Sequence, residues 1–507
     1  MTSKTLMIQG TASSAGKSLL VTALCRIFAR KGLRVAPFKA QNMSLNFAVT
    51  MDGHEISRAQ AVQAEAAGIE ASSFMNPVLL KPTGDRRSQL MVLGKERGHM
   101  DAHEYYAYRP QLIPEVCDAF AHLASRYDLI ILEGAGSPAE INLREHDIAN
   151  MGAAAIANAP VVLVGDIDRG GVFASLFGTV KLLEVEEQRR IRGFVINKFR
   201  GDSAILEPGL RQLEYMMARP VLGVLPWWDV HIDEEDSLAE RLGKRPAAPA
   251  NGAGPCVDIA VIRLPRLANF TDFAVFDTVP GVSLRYVDHP AHVGEPDLII
   301  LPGTKNIVDD LAFLQESGFA RRICEAHSKG AQIMGVGGGF YMLGSSVRGP
   351  RKTRKADAEQ PGLGLLPMRS TLAAQNHSSQ STLLVAQNLP GMLAMCGGMS
   401  LPAYATHAEA SLIHEATPLG TDAKGRPLGA INAQGTVCGS CLHGLFDTMA
   451  FTHGLINALR HKKDLPPLAD SGSDYASFRE QEYDRLASMV ESHMDMDCLW
   501  NIITSWS

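Results

Sequence analysis

The 507-residue chain lacks a surplus of positive charge: 48 Lys and Arg stand against 54 Asp and Glu, a formal net charge of -6. A basic domain is the usual footprint of a nucleic-acid binder, so the balance argues against that class of partner. It leaves room for a local basic pocket facing an acidic substrate. Also missing is any unbroken apolar run of the ~18 residues that a membrane span requires. The first apolar run stops at Gly10, too short for a secretory signal. A soluble, cytoplasmic protein with no membrane partner is expected. Of the eight cysteines, only Cys438 and Cys441 are closely spaced, and no second ligand pair accompanies them. Without such a pair a zinc site has too few ligands, and the thiols read as those of a reducing compartment. Internal repeats and low-complexity tracts are absent.

What is present is an ordinary globular balance, 46% apolar and 20% charged, in a chain too long for one core. Two or three domains are expected. Short apolar runs alternate with helical patterns through the first half. Strands are predicted at Thr5–Gln9, Leu33–Phe38, Tyr127–Leu132, Val161–Val164, Gly193–Asn197 and Val221–Leu225, with a helix from Lys17 to Lys31. Wholly apolar strands alternating with helices imply a parallel sheet covered on both faces. The Pro/Ala/Gly-rich stretch 241–256 reads as a linker. A second strand–helix series follows, with strands at Val257–Arg263, Ser283–Val287, Leu298–Leu301 and Gln332–Val336, and weaker candidates at Gly429–Asn432 and Thr436–Cys438. Helical spacing of Tyr483, Leu486, Ala487 and Val490 marks the tail. The expected domains are therefore 1–240, 257–455 and a helical tail 456–507.

Chemistry concentrates first at Gly10-Thr11-Ala12-Ser13-Ser14-Ala15-Gly16-Lys17-Ser18, between a strand and a helix. That context suits a phosphate-binding loop, whose backbone N–H groups and helix N-terminus cradle phosphate oxygens. Lys17 would reach the β- and γ-phosphates, and the Ser18 hydroxyl would bind Mg²⁺. Five residues separate the glycines, a spacing similar to the dethiobiotin synthetase and cobyrinate amidase branch of phosphate-loop enzymes. Such a loop needs a metal-binding carboxylate at a neighbouring strand end, and Glu133 follows an apolar strand and precedes Gly134-Ala135-Gly136. Three more loops fall at strand ends, where parallel sheets place ligands: Lys39–Ser44, Asp166–Gly171 and Asn197–Asp202. The pair Asn197-Lys198 reads either as a contact to the nucleotide base or as a polar strand exit.

Taken in order, PFKAQNMSLN, RAQAVQAEAAGIE, MNPVLLKP, LEGAGSPAEINL, HDIANM, GDIDRGGVFASLFGT, RLPRLANFTDF, LPGTKN, GLGLLP and HGLFD resemble the cobyric acid synthase family of glutamine amidotransferases. The resemblance spans nearly the whole chain. It implies a phosphate-loop parallel-sheet domain followed by a class I glutamine amidotransferase-like α/β domain. It further implies ATP and Mg²⁺, with Ser18 and Glu133 at the metal and Lys39, Gln41, Asn42, Asp147, Asp166 and Arg169 near nucleotide or corrinoid. The implied reaction amidates carboxylates b, d, e and g of adenosylcobyrinic acid a,c-diamide through acyl phosphates, with glutamine as nitrogen donor. A homo-oligomer is left open.

The second half departs from that pattern. Where the resemblance calls for a nucleophilic cysteine on a strand–helix turn, Gly337 stands. Glycine has no side chain, so no thioester can form. Tyr341 replaces a usual glutamine, and Ala403-Tyr404-Ala405-Thr406-His407 replaces Gly-Tyr-Glu-Ile-His. The expected histidine remains as His443, either still the proton-moving histidine of the glutaminase site or a relic that now only packs; Cys441 lies on a strand rather than on the turn. Free ammonia in place of glutamine, or ammonia borrowed from a partner, is the expectation. Three rivals remain: a partition-type ATPase, for which Ala12 stands where a second lysine is needed; a non-catalytic scaffold; and a ligase for another polycarboxylate.

Overall fold

The computed structural model describes residues 3–83, 87–232, 256–349, 359–373, 378–406, 411–414, 416–468 and 474–506. Of the expected linker only Cys256 lies among them, and His407 lies outside them. The chain forms two compact units. The first comprises Met1–Ser44, His54–Glu235 and Arg479–Ser507, the second Leu45–Gly53 and Asp236–Phe478.

In the first unit six strands make one wholly parallel sheet. Their order across it is Val221–Pro226, Ile191–Phe199, Val161–Asp166, Lys4–Gly10, Leu129–Glu133 and Val35–Phe38. The central strands are apolar on both faces, and Leu6, Ile8, Ile131, Val162 and Val164 are fully buried. That pattern requires cover on both sides of the sheet. Helix Lys17–Arg30 supplies part of it through Leu20, Leu24, Ile27 and Phe28. All six expected strands are present, shifted by a few residues at their ends. A four-stranded sheet of Gln41–Met43, Val78–Pro82, Arg87–Val92 and Lys95–Asp101 was not foreseen. Its outer strand is polar and exposed, so it carries little hydrophobic signal.

The expectation of a separate helical tail 456–507 needs correction. Helix Met449–Lys462 and the chain to Phe478 belong to the second unit, whereas Arg479–Ser507 belongs to the first. The predicted stripe Tyr483, Leu486, Ala487 and Val490 is buried in the same cluster as Leu6, Leu24 and Phe28. An apolar stripe cannot remain in water without losing roughly 25 cal/mol per Å². Arg26 adds ion pairs to Glu480 (2.7 Å) and Asp484 (2.8 Å) across that junction.

The second unit carries a seven-stranded sheet ordered Val282–Val287, Val257–Ile262, Leu298–Leu301, Gln332–Val336, Val437–Ser440, Ala430–Ile431 and Thr417–Pro418. The first five run parallel and the last two antiparallel. No helix among the described residues is long and apolar enough to cross a membrane.

Candidate active site: an acidic phosphate-loop centre and a glycine elbow

The strand Lys4–Gly10 delivers the loop 10–18 to the N-terminus of the helix starting at Lys17. Ser13 and Ser14 are exposed at its crest, and Thr11 N donates to Val164 O on the neighbouring strand (2.9 Å). Gly16 caps the helix at φ 93°, where an L side chain is strained, and a Cβ there would overlap the Asn197 amide. Lys17 Nζ donates to the carbonyls of Ala12 (3.2 Å) and Gly136 (3.1 Å), tying the loop to the turn after Glu133.

Glu133 is the hub. Its side chain is fully buried, and Oε1 accepts from Ser18 Oγ (2.8 Å) and from Lys39 Nζ (2.8 Å). Its other oxygen accepts from Gln63 Nε2 (2.6 Å) and Gln60 Nε2 (3.4 Å). Burying a carboxylate is costly unless charge and hydrogen bonds compensate it, and here both do. Gln60 and Gln63 were missed as individual residues, although the stretch RAQAVQAEAAGIE that holds them carried part of the resemblance. Their i, i+3 spacing on helix Arg58–Ala66 puts both on one face, a signal that could have found them.

Other predicted residues arrange around this hub. Asn42 Nδ2 donates to Ser57 Oγ (2.6 Å) and shares Gln60 with Glu133. Gln41 accepts from the buried Tyr105 hydroxyl, whose pKa burial raises. Asp166 binds Lys198 (3.1 Å) and, more loosely, Arg169 (3.8 Å). The Asp147 carboxylate accepts from the backbone N–H groups of Ala149 (2.8 Å), Asn150 (3.1 Å) and Gly152 (3.0 Å), shaping the entry to helix Met151–Ile156. Asn150 Nδ2 then reaches Ala135 O (2.7 Å), beside Glu133.

The donor set suits Mg²⁺. Serine hydroxyl and carboxylate are hard oxygen ligands, and Glu133 already holds one cation, Lys39. Two buried acceptors flanking Gly134, Gln9 Oε1 and Asn150 Oδ1, have no hydrogen-bond partner among the described residues. The water shell that Mg²⁺ keeps could supply donors to such atoms.

In the second unit, strand Gln332–Val336 turns at Gly337 into helix Gly338–Met342. Gly337 has φ 55° and ψ -122°, and its N–H donates to Ser440 O (2.9 Å). A Cβ on Gly337 would overlap His443 Nε2 and lie 2.6 Å from Cε1. The histidine ring therefore stands where a side chain at this turn would begin. His443 Nδ1 lies 2.6 Å from Asp272 Oδ2, both groups are buried, and Tyr404 stacks on the ring with centroids 5.4 Å apart. Asp272 was missed as an individual residue; 171 positions separate it from its histidine. Tyr341 is buried against Cys441, and burial pushes the Cys441 thiol up to about 11. At neutral pH that thiol is protonated and a poor nucleophile. No group of three His, Cys, Asp or Glu side chains among the described residues could hold a metal ion.

The segment Leu45–Gly53, although drawn from the first half of the chain, packs within this unit. Phe47 N donates to Asn269 Oδ1 (3.2 Å), and Thr271 Oγ1 donates to Asn46 Oδ1 (3.2 Å), beside Asp272.

Comparison with known proteins agrees with both halves. Residues 6–237 match the CobQ/CobB/MinD/ParA nucleotide binding domain, and residues 258–451 the CobB/CobQ-like glutamine amidotransferase domain. The chain is 46% identical over 505 residues to a cobyric acid synthase of Caldanaerobacter subterraneus subsp. tengcongensis, covering 98% of each. It is 45% identical to that of Photorhabdus laumondii, covering 98% of this chain and 97% of the other. It is 46% identical to that of Yersinia enterocolitica, covering 97% and 96%. With a phosphate-loop domain, an amidotransferase-like domain and full-length relatives in agreement, this chain belongs to the cobyric acid synthase family.

Proposed function

We propose that the chain amidates the b, d, e and g carboxylates of adenosylcobyrinic acid a,c-diamide with ATP, drawing nitrogen from free ammonia rather than from glutamine. A carboxylate is a poor electrophile. Transfer of the γ-phosphoryl group to a carboxylate oxygen releases ADP and leaves an acyl phosphate. Ammonia then adds to the acyl carbon, phosphate leaves with the C–O electron pair, and loss of a proton yields the amide. The protein's share is positioning and charge stabilisation. Residues Gly10, Thr11, Ser13, Ser14, Ala15 and Gly16 would wrap the phosphates, with Lys17 donating to them. Ser18 and Glu133 would hold Mg²⁺, which when bound neutralises charge on the phosphate oxygens. Lys39, already beside Glu133, would turn to the incoming anion, while Gln41, Asn42, Asp147, Asp166 and Arg169 line the approach of nucleotide or corrinoid.

One observation carries the choice of ammonia. The strand–helix turn has no side chain at Gly337, and His443 fills the space beside it. Covalent glutamine hydrolysis requires a nucleophile there, and the half-buried Cys441, its thiol pushed up to about 11, is a poor substitute. Amidation assayed with ATP, Mg²⁺ and the diamide, once with glutamine and once with ammonium, tests the reading. Product with ammonium alone is expected. Product from glutamine with the purified protein would overturn the assignment of nitrogen source. No product with either donor would overturn the ligase reading.

A further inference from the structure

The phosphate loop accounts for the polyphosphate of a nucleotide but not for its base. Beside that loop, strand Ile191–Phe199 is irregular. Its pairing with Val221–Pro226 slips between Ile196 and Phe199, and Lys198 takes φ 62°. Bulges and left-handed non-glycine residues re-aim side chains and gather at functional sites. The irregular end carries Asn197, whose Nδ2 donates to Ala15 O (3.0 Å) inside the phosphate loop. On the adjacent strand end stands Trp227, whose backbone N–H donates to Phe199 O (2.7 Å). The indole is half-buried. The Arg200 guanidinium carbon lies 4.0 Å from its ring centroid and Lys198 Nζ 5.8 Å from it. Both cations are anchored by carboxylates, Arg200 by Asp168 (3.2 Å) and Lys198 by Asp166 (3.1 Å).

An arginine on a tryptophan is commonly just a surface pair. This one sits at the carboxyl ends of parallel strands, where such sheets bind ligands, and Asn197 links its strand end directly to the phosphate loop. A partly exposed indole with anchored cations offers a flat π-surface at fixed depth, and every nucleobase has a π-face to match. We propose that Trp227, with Arg200 stacked on it, is the platform for the purine ring of ATP. The proposal rests on reading residues 10–18 as the phosphate site.

Calorimetric titration of the full chain with Mg²⁺-ATP and with Mg²⁺-tripolyphosphate, which has no base, separates the two. Trp227→Ala should weaken ATP binding by about ten-fold, the scale of one lost stacking contact, and should leave tripolyphosphate affinity within about two-fold. Trp227→Phe should recover most of the ATP affinity, which a merely structural role for the indole would not require. Equal loss of both ligands in Trp227→Ala, or no loss of either, would overturn the platform while sparing the phosphate loop. A wild-type protein that binds neither ligand would overturn the phosphate-site reading and the platform with it.

Discussion

The two centres of this molecule keep opposite things. Around Glu133 the reactive side chains are present and mutually engaged: Ser18, Lys39, Gln60 and Gln63 all donate to one buried carboxylate. Around Gly337 strand, turn, helix, His443 and Asp272 are in place about a residue that has no side chain. The difference teaches that a strand–helix elbow is held by backbone hydrogen bonds and apolar packing, not by the nucleophile it displays. Val336, Phe340, Met342 and Leu343 are all buried around the turn. A charged centre has no such independence, because each partner compensates the burial of another.

That contrast can be broken most severely at its charged side. Glu133→Ala should lower ammonium-dependent amidation by at least about 10²–10³-fold, as loss of an electrostatic anchor does, and should destabilise the fold by about 3–5 kcal/mol because Lys39 is left buried without its carboxylate. Turnover and chemical denaturation measure the two effects, and a variant that kept both would show the hub to be dispensable.

At the elbow, Gly337→Cys should restore no glutamine-dependent product above background. The new side chain enters at φ 55° and meets His443, costing about 1–3 kcal/mol in backbone strain alone. Glutamine-dependent turnover in this single variant would show that His443 yields readily and that only the thiol was missing. His443→Leu should cost about 1–3 kcal/mol in denaturation, since the buried Asp272 carboxylate would lose a hydrogen-bonding partner; an unchanged midpoint would make the pair ornamental.

The smallest effect belongs to a surface pair in the first unit. Arg34 donates to Asp128 through Nε (3.1 Å), Nη2 (2.7 Å) and its backbone N–H (3.0 Å), which holds the Asp128 carboxyl at about 2, below its ordinary 3.8. The folded-state value is depressed, so the pair's contribution is present above the ordinary value and is lost as pH falls through about 2. Because both groups are exposed, Arg34→Ala should leave the melting temperature at pH 7 nearly unchanged. Wild type and variant should converge fully below pH 2, and a large gap at pH 7 would mean the pair organises more than itself.

Much of this arrangement was legible in the chain before folding. The parallel strands of both large sheets announce themselves as short, mainly apolar runs such as LIIL, because a strand buried on two faces admits few polar residues. The phosphate loop was legible because its glycines, lysine and serine lie within one turn of backbone. The outer strand of the four-stranded sheet in the first unit was not, since Lys95–Asp101 is polar and exposed and has no apolar face to display. Gln60, Gln63 and Asp272 were hidden for a different reason: each acts on a partner 70 or more positions away.

The sequence by itself determined the chemical inventory: a phosphate loop, one acidic strand end, and a glycine at the strand–helix turn of the second unit. These are local facts, carried by residue identity and short spacing. Only the tertiary structure decided that Lys39 and Ser18 meet on a single Glu133 oxygen, that His443 leans into the space beside Gly337, and that the tail from Arg479 returns to the first core. The physical reason is that burial and ion pairing act between groups far apart in sequence. Their partners are chosen by which surfaces the fold must hide from water.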